Sequence, residues 1–181
     1  MLKVRRATVI DAEQIARVHD NTWKSTYETI IQEDDLQQVT SFENRKVMWE
    51  TTLQTLNHHV FVLDSKENGV VGFISGGKAR TDHFEFDGEI FDIYISPAYQ
   101  RKGYGQWLLS YFVNECNQLG YTSLLVWILT DNPYGQFYVR LGARRIEAEN
   151  ITIGTGTYEE TAYGWKDLYQ LRSWLTSSQV Q

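Results

Sequence analysis

The chain has 181 residues, 42% of them apolar and 14% aromatic, with only two prolines; that suits one domain around one core and excludes a disordered chain. Its formal net charge of −6 supplies no basic face for nucleic acid and favours a neutral or cationic partner. Cys116 is the single cysteine, the N-terminal MLKVRRATVIDAEQ has no apolar run behind its basic residues, and no apolar stretch approaches the ~18 residues of a membrane span, so the expectation is a cytoplasmic protein with neither an internal disulfide nor a membrane partner.

Residues 3–7 read as a first strand. Ala12, Ile15, Ala16, His19 and Trp23 recur at helical spacing, so 11–23 is a helix, with Thr8 or Asp11 able to cap it. A second helical region over 33–56 is broken near Ser41. Val60–Leu63 and Val70–Ser75 are β-branched runs joined by turn formers, a hairpin. Gly76 to Gly88 is a polar loop, Glu89–Ile95 the next strand, and Pro97 ends it. Residues 104–119 are a helix with Leu108, Leu109, Phe112, Val113, Cys116 and Leu119 inward, which makes Cys116 a core residue. Ser123–Leu129 is a buried strand, parallel to 89–95 through a right-handed crossover. Asn132–Leu141 is a short helix with Asn132 as N-cap, Pro133 in its first turn and Gly142 at its end. Strands at 144–153 and 157–165 close the pattern, and Ser177–Gln181 is loose. The result is a single-domain α/β fold on a mixed sheet.

The run Gln100-Arg101-Lys102-Gly103-Tyr104-Gly105 follows a strand and opens a helix. Such a place offers unpaired amides and the positive end of a helix dipole. Gly103 and Gly105 remove side chains from the path of a phosphate, and Arg101 and Lys102 add charge. A P-loop would end in Gly-Lys-Ser/Thr, and a dinucleotide fingerprint needs Gly or Ala where Leu108 stands, so neither nucleotide motif fits.

Gln/Arg-x-x-Gly-x-Gly between strand and helix, led in by Ile93-Tyr94-Ile95-Ser96-Pro97, resembles the acetyl-CoA signature of the GNAT superfamily of N-acetyltransferases. Asn132-Pro133-x-x-Gln136-Phe137-Tyr138-x-x-Leu141-Gly142 resembles the second signature, with mild departures at Gly135/Gln136 and Ala143. The resemblance covers residues 3 to about 166. It implies a GNAT-like domain over 1–170, a mostly antiparallel central sheet flanked by helices, with 171–181 as a C-terminal tail. It also implies acetyl-CoA as cosubstrate and an amine as acceptor, expected to be a small molecule. A peptide acceptor and a non-catalytic acyl-CoA sensor are the alternatives, and a homodimer is left open.

By the same resemblance, Ile93 and Ile95 pair their backbone with the pantetheine arm as an added strand. Gln100, Arg101, Lys102, Gly103, Tyr104 and Gly105 hold the pyrophosphate. Asn132 contacts pantetheine or positions Tyr138, and Tyr138 protonates the departing thiolate. Trp23 and Tyr27 sit where this fold builds part of the acceptor pocket. A bulged fourth strand can offer an amide to the oxyanion. No metal is expected, since His19, His58, His59 and His83 have no ligand spacing with Cys116. His58 and His59 read as surface, and His83 lies in a loop on the acceptor side.

An ammonium must lose a proton before it attacks, and Glu89 and Asp92 are the carboxylates of the fourth strand. Their odd spacing puts them on opposite faces of a regular strand, although a bulge would change the count. Glu89 shares parity with Ile93 and Ile95, and Gly88-Glu89-Ile90 resembles a position where related enzymes often carry their base. Glu89 is therefore the expected base and Asp92 an acceptor-binding carboxylate.

Overall fold

The computed structural model describes residues 1–39, 41–80 and 85–177, Ser177 by its backbone alone. The elements run β1 (Leu2–Arg6), α1 (Ala12–Tyr27), α2 (Glu33–Val39), α3 (Phe42–Thr52), β2 (His58–Ser65), β3 (Gly69–Lys78), β4 (Gly88–Ile95), α4 (Tyr104–Gln118), β5 (Leu124–Leu129), α5 (Gly135–Arg140), β6 (Arg144–Ile153), β7 (Gly156–Trp165) and α6 (Leu168–Ser177). The strands form one sheet in the order β1-β2-β3-β4-β5-β7-β6. Every pairing is antiparallel except β4 with β5.

The two faces of the sheet carry separate apolar clusters. On one, α4 buries Leu108, Leu109, Phe112, Val113 and Cys116 against Ile74, Ile90 and Leu124, whereas Leu119, expected inward, lies past the last turn as the C-cap and is exposed. On the other, Ile15, Ala16 and Val18 of α1 and Trp49 of α3 cover Val60, Val62 and Phe73. Burial pushes the Cys116 thiol up to about 12, which keeps it an inert core group. The start of α1 is fixed by the Thr8 amide donating to Asp11 at 2.8 Å, while both terminal nitrogens of Arg5 reach the Asp11 carboxylate at 2.8 Å.

Several expected boundaries move. Helix α1 continues four residues past Trp23, because Thr22, Thr26 and Tyr27 extend its buried face and a purely apolar reading passes over threonines. Strand β3 runs to Lys78, so part of the expected loop 76–88 is sheet. Gly76 and Gly77 stand opposite Ile90 and Glu89 there, where any Cβ would strike the Glu89 carbonyl or the Asn57 carbonyl. The expected tail 171–181 begins inside α6, whose Leu168, Leu171 and Leu175 are buried against the α4 face. Helix α5 starts at Gly135, three residues after Asn132, which closes a turn ahead of it by accepting from the Tyr134 amide at 2.9 Å. The break at Ser41 lies where expected, with its hydroxyl accepting from the Asn44 amide at 3.4 Å.

Candidate active site

The site begins where the sheet opens. Strands β4 and β5 pair only from Gly88–Ile90 to Leu124–Val126 and then separate. The Ser96 amide donates to the Val71 carbonyl on β3 at 2.9 Å. By strand alternation, the N–H and C=O groups of Ile93 and Ile95 therefore turn toward the gap. The Ile95 carbonyl there accepts from Gln100 Nε2 at 2.7 Å, and Gln100 Oε1 accepts from the Tyr134 hydroxyl at 3.0 Å. Gln100 is thus a strut across the mouth of the gap, from β4 to the loop before α5.

A cleft of about 550 Å³ fills the gap, and its walls include Ile93, Ile95, Gln100, Arg101, Gly103, Tyr104, Gly105, Asn132 and Tyr138. Gly103 caps α4 at φ 83°, and nothing lies within 4 Å of where its Cβ would be. The first amides of α4 thus face open space at the positive end of the helix. Arg101 also holds a positive φ of 61°, a conformation costing a non-glycine residue about 1–3 kcal/mol. Gly105 serves differently: its Cβ would press on the Phe137 ring at 3.2 Å, so its absence lets α5 pack on α4. Lys102 points away from the cleft, donating to the Ala98 carbonyl at 2.8 Å. Arg140 on α5 lines the cleft instead. Sequence reasoning missed it, although it lies two residues after Tyr138 in the same short helix.

Tyr138 is 5% exposed, edge-on to Phe137 and Trp165. Burial, then the neighbouring Tyr27 and Asp92, raises its pKa well above that of a free phenol, so it is protonated at neutral pH. Asn132 Nδ2 donates to the Tyr27 hydroxyl at 2.8 Å, which ties α1 to the turn before α5. Thr22 and Thr26 from α1 also line the cleft. Thr22 Oγ1 is buried there with no hydrogen-bond partner.

Beyond Tyr94 lies a second, more polar region. The β3–β4 register shifts between Ser75/Asp92 and Gly76/Ile90, which makes Phe91 an extra residue. That bulge overturns the strand-parity argument. Ile93 and Ile95 pack with the α4 face, whereas Tyr94 packs with the α1 face. Glu89, opposite Gly77, and Asp92, opposite Ser75, both fall on the α1 face. They are not equivalent. Glu89 is 1% exposed and takes the Arg80 amide at 2.9 Å and the Arg80 guanidinium at 2.5 and 3.1 Å. Neither Glu89 nor Asp92 lines the cleft, but both Glu89 oxygens are engaged by Arg80, so the geometry gives no support to Glu89 as a free base. Asp92 is partly exposed, accepts from Ser75 Oγ at 2.8 Å and lies 3.9 Å from His19 Nε2. Burial, outweighing Asp92, holds the His19 pKa down to about 4, so the imidazole is neutral at pH 7.

The Trp23 and Tyr27 rings meet at a tilt, 4.7 Å between centroids, within a cluster containing Ile31, Leu129 and Tyr158. They form a wall between α1 and the β6–β7 hairpin and are not part of the cleft lining. That hairpin is latched to α2. Asp35 accepts from the Thr155 amide at 2.6 Å, the Thr155 hydroxyl at 2.9 Å and the Tyr158 hydroxyl at 2.8 Å. His83 lies outside the described residues. Among the described residues, no three His, Cys, Asp or Glu side chains gather as metal ligands, and no helix is long and apolar enough to cross a membrane.

This architecture has close counterparts. The acetyltransferase (GNAT) family profile matches residues 20–143. YuaI, an uncharacterised N-acetyltransferase of Bacillus subtilis (strain 168), is 33% identical over 175 residues, 97% of this chain and 99% of its own. The L-methionine sulfoximine/L-methionine sulfone acetyltransferase of Salmonella typhimurium is 35% identical over 91 residues, 49% of this chain and 52% of its own. In fold, the crystal structure of PaiA N-acetyltransferase from Thermoplasma acidophilum in complex with coenzyme A matches with a TM-score of 0.68 at 19% identity, covering 91% of this chain and 99% of that one.

Proposed function

The chain belongs to the acetyltransferase (GNAT) family and is an N-acetyltransferase; we propose that it moves the acetyl group of acetyl-CoA to the primary amine of a small molecule, with both substrates bound together. The carrying observation is the cleft itself, in which a free strand edge, a helix N-terminus and a buried phenol share one space. Three features of the chain fit acetyl-CoA. The β4 edge turns the N–H and C=O of Ile93 and the N–H of Ile95 to the gap, where an extended amide-bearing arm can pair with them, while the Ile95 carbonyl is already taken by Gln100. The space over Gly103 is empty where phosphates would approach the α4 amides and Arg101. The orphaned Thr22 hydroxyl, a buried group that costs about 1–3 kcal/mol unpaired, gains a partner when one of its two helical rotamers turns it to the cleft.

Acetyl-CoA supplies an acetyl group already activated as a thioester. Tyr138 holds its proton in a buried setting and delivers it to the leaving sulfur. The phenol is the weaker acid in water, but the same burial also disfavours a thiolate, so the transfer is not opposed by the full difference. The nitrogen proton shed as the amide forms restores the phenol. Asp92, whose side chain is 24% exposed, attracts the ammonium and takes its first proton; at pH 7 only about one part in a thousand of a lysine-like amine is the free base. Asp92 thereby fills the role for which strand parity singled out Glu89.

The latched hairpin supports a small acceptor, because a peptide needs an open groove and Asp35 ties the hairpin to α2. The named substrates of the Salmonella relative, L-methionine sulfoximine and L-methionine sulfone, make amino-acid-like amines the first acceptors to try. An acceptor screen following free thiol release from acetyl-CoA tests the reading. Amine-dependent release is expected, and cofactor binding without such release identifies a sensor module instead.

A further inference from the structure

Asp92 is surrounded by groups from five elements: His19 and Tyr27 from α1, Arg45 from α3, His58 from β2, its strand neighbour Tyr94, and Tyr138 from α5. Each feels the Asp92 charge. Among them His19 stands out by its hydrogen bonding. The indole nitrogen of Trp49 lies 3.2 Å from His19 Nδ1. An indole N–H can only donate, so Nδ1 must accept, and a neutral imidazole then carries its hydrogen on Nε2. Nε2 is the atom that faces Asp92 Oδ1, at 3.9 Å. His19 is 8% exposed, and its ring stacks on Tyr94 at 5.0 Å, so neither end is free to turn.

We propose that Trp49, His19 and Asp92 form a positioning chain, in which Trp49 fixes the imidazole tautomer and the His19 Nε2–H holds the Asp92 carboxylate toward the acceptor. His19 is not itself the base. Its one lone pair is occupied by Trp49, and its other nitrogen already bears hydrogen. Ser75 Oγ holds the second carboxylate oxygen at 2.8 Å, so Asp92 is held on that side and faced by His19 on the other, with its side chain still 24% exposed. The gap of 3.9 Å exceeds a hydrogen bond, and it closes when the acceptor draws the carboxylate into place, as catalytic contacts commonly tighten in the substrate complex. Arg45, the other cation on this side, is paired with Asp20 at 3.2 Å and so leaves Asp92 available. This rests on Asp92 receiving the amine.

The test joins nitrogen-15 NMR of the histidine-labelled full chain to turnover of L-methionine sulfoximine. The expected spectrum shows His19 neutral with hydrogen on Nε2, and that signal shifts in Asp92→Asn. A hydrogen on Nδ1, or an Nε2–H signal indifferent to Asp92→Asn, overturns the chain. In turnover, His19→Leu should lower kcat/KM for the amine ~10- to 100-fold, the scale of a misplaced reacting group. Acetyl-CoA affinity should be unchanged, and His19→Gln, which keeps an N–H near the same place, should recover most of the loss. Equal loss of acetyl-CoA affinity would mark His19 as merely structural and overturn the proposal. If Asp92→Asn lowers kcat/KM for the amine but His19→Leu does not, Asp92 keeps its role and the chain falls. If Asp92→Asn turns over the amine like wild type, the acceptor reading falls. Should wild type leave this amine untouched, the NMR result decides the chain alone.

Discussion

The cleft proposed for acetyl-CoA and the polar region proposed for the acceptor lie on either side of Tyr94 and are built in different ways. Apart from Thr22 and Thr26 of α1, the cleft is assembled from two short runs, 93–105 and 132–140, each holding its residues in near-consecutive order. The proposed acceptor region gathers His19 from α1, Asp35 from α2, Trp49 from α3, Asp92 from β4, and Thr155 and Tyr158 from the last hairpin. A phosphate cradle needs backbone amides, which only local sequence can arrange. An acceptor pocket needs side chains of chosen chemistry, which any element can supply. The first kind of site leaves a motif and the second does not.

The sharpest way to break this division is Tyr138→Phe. Losing the phenolic proton should lower kcat by roughly 100- to 10,000-fold, while calorimetry finds acetyl-CoA affinity unchanged. Next comes a contrast within the loop. Gly103→Val should weaken acetyl-CoA binding by about 100-fold, or ~2–3 kcal/mol, because a side chain then covers the α4 amides. Gly105→Ala should instead act on the fold, since its Cβ meets Phe137 at 3.2 Å; thermal denaturation should register a loss on the order of 1 kcal/mol. Equal cofactor defects in both would merge two roles that the geometry separates.

The acceptor side has its own contrast. Asp92→Asn should lower kcat/KM for the amine with partial rescue at higher pH, where more amine is free base. Glu89→Gln should chiefly lower stability by freeing Arg80 from its buried partner. A Glu89→Gln enzyme with wild-type stability and a collapsed pH–rate profile would return Glu89 to the mechanism.

His19 makes a prediction visible only in acid. Its folded pKa of about 4 lies below the ordinary imidazole value of 6.5, so the unfolded chain binds the proton more tightly. Stability from the neutral ring is therefore whole above pH 6.5 and falls as pH drops through 6.5 toward 4, by at most about 3 kcal/mol. Denaturant unfolding of wild type and His19→Gln across that window should show a steeper decline in wild type.

The same division explains what was legible beforehand. Strand and helix order followed from periodicity in strongly apolar segments such as 104–119. Helix α6 was passed over because Leu168, Leu171 and Leu175 lie among exposed residues that include the aromatic Tyr169 and Trp174, so that only docking on the α4 face picks out the buried stripe. The parity of Glu89 was unreadable because one extra residue, Phe91, reverses every side chain after it, and nothing in the letters Glu-Ile-Phe-Asp marks a bulge. Gln100 was picked for phosphate, whereas its amide is engaged with Ile95 and Tyr134, contacts that depend on two other segments arriving there.

The most direct test follows free thiol released from acetyl-CoA across a panel of primary amines that includes L-methionine sulfoximine, with binding measured in parallel by calorimetry. The account predicts acetyl-CoA binding together with thiol release that depends on the amine and saturates with it. Tight acetyl-CoA binding with no amine-dependent release anywhere in the panel would contradict it.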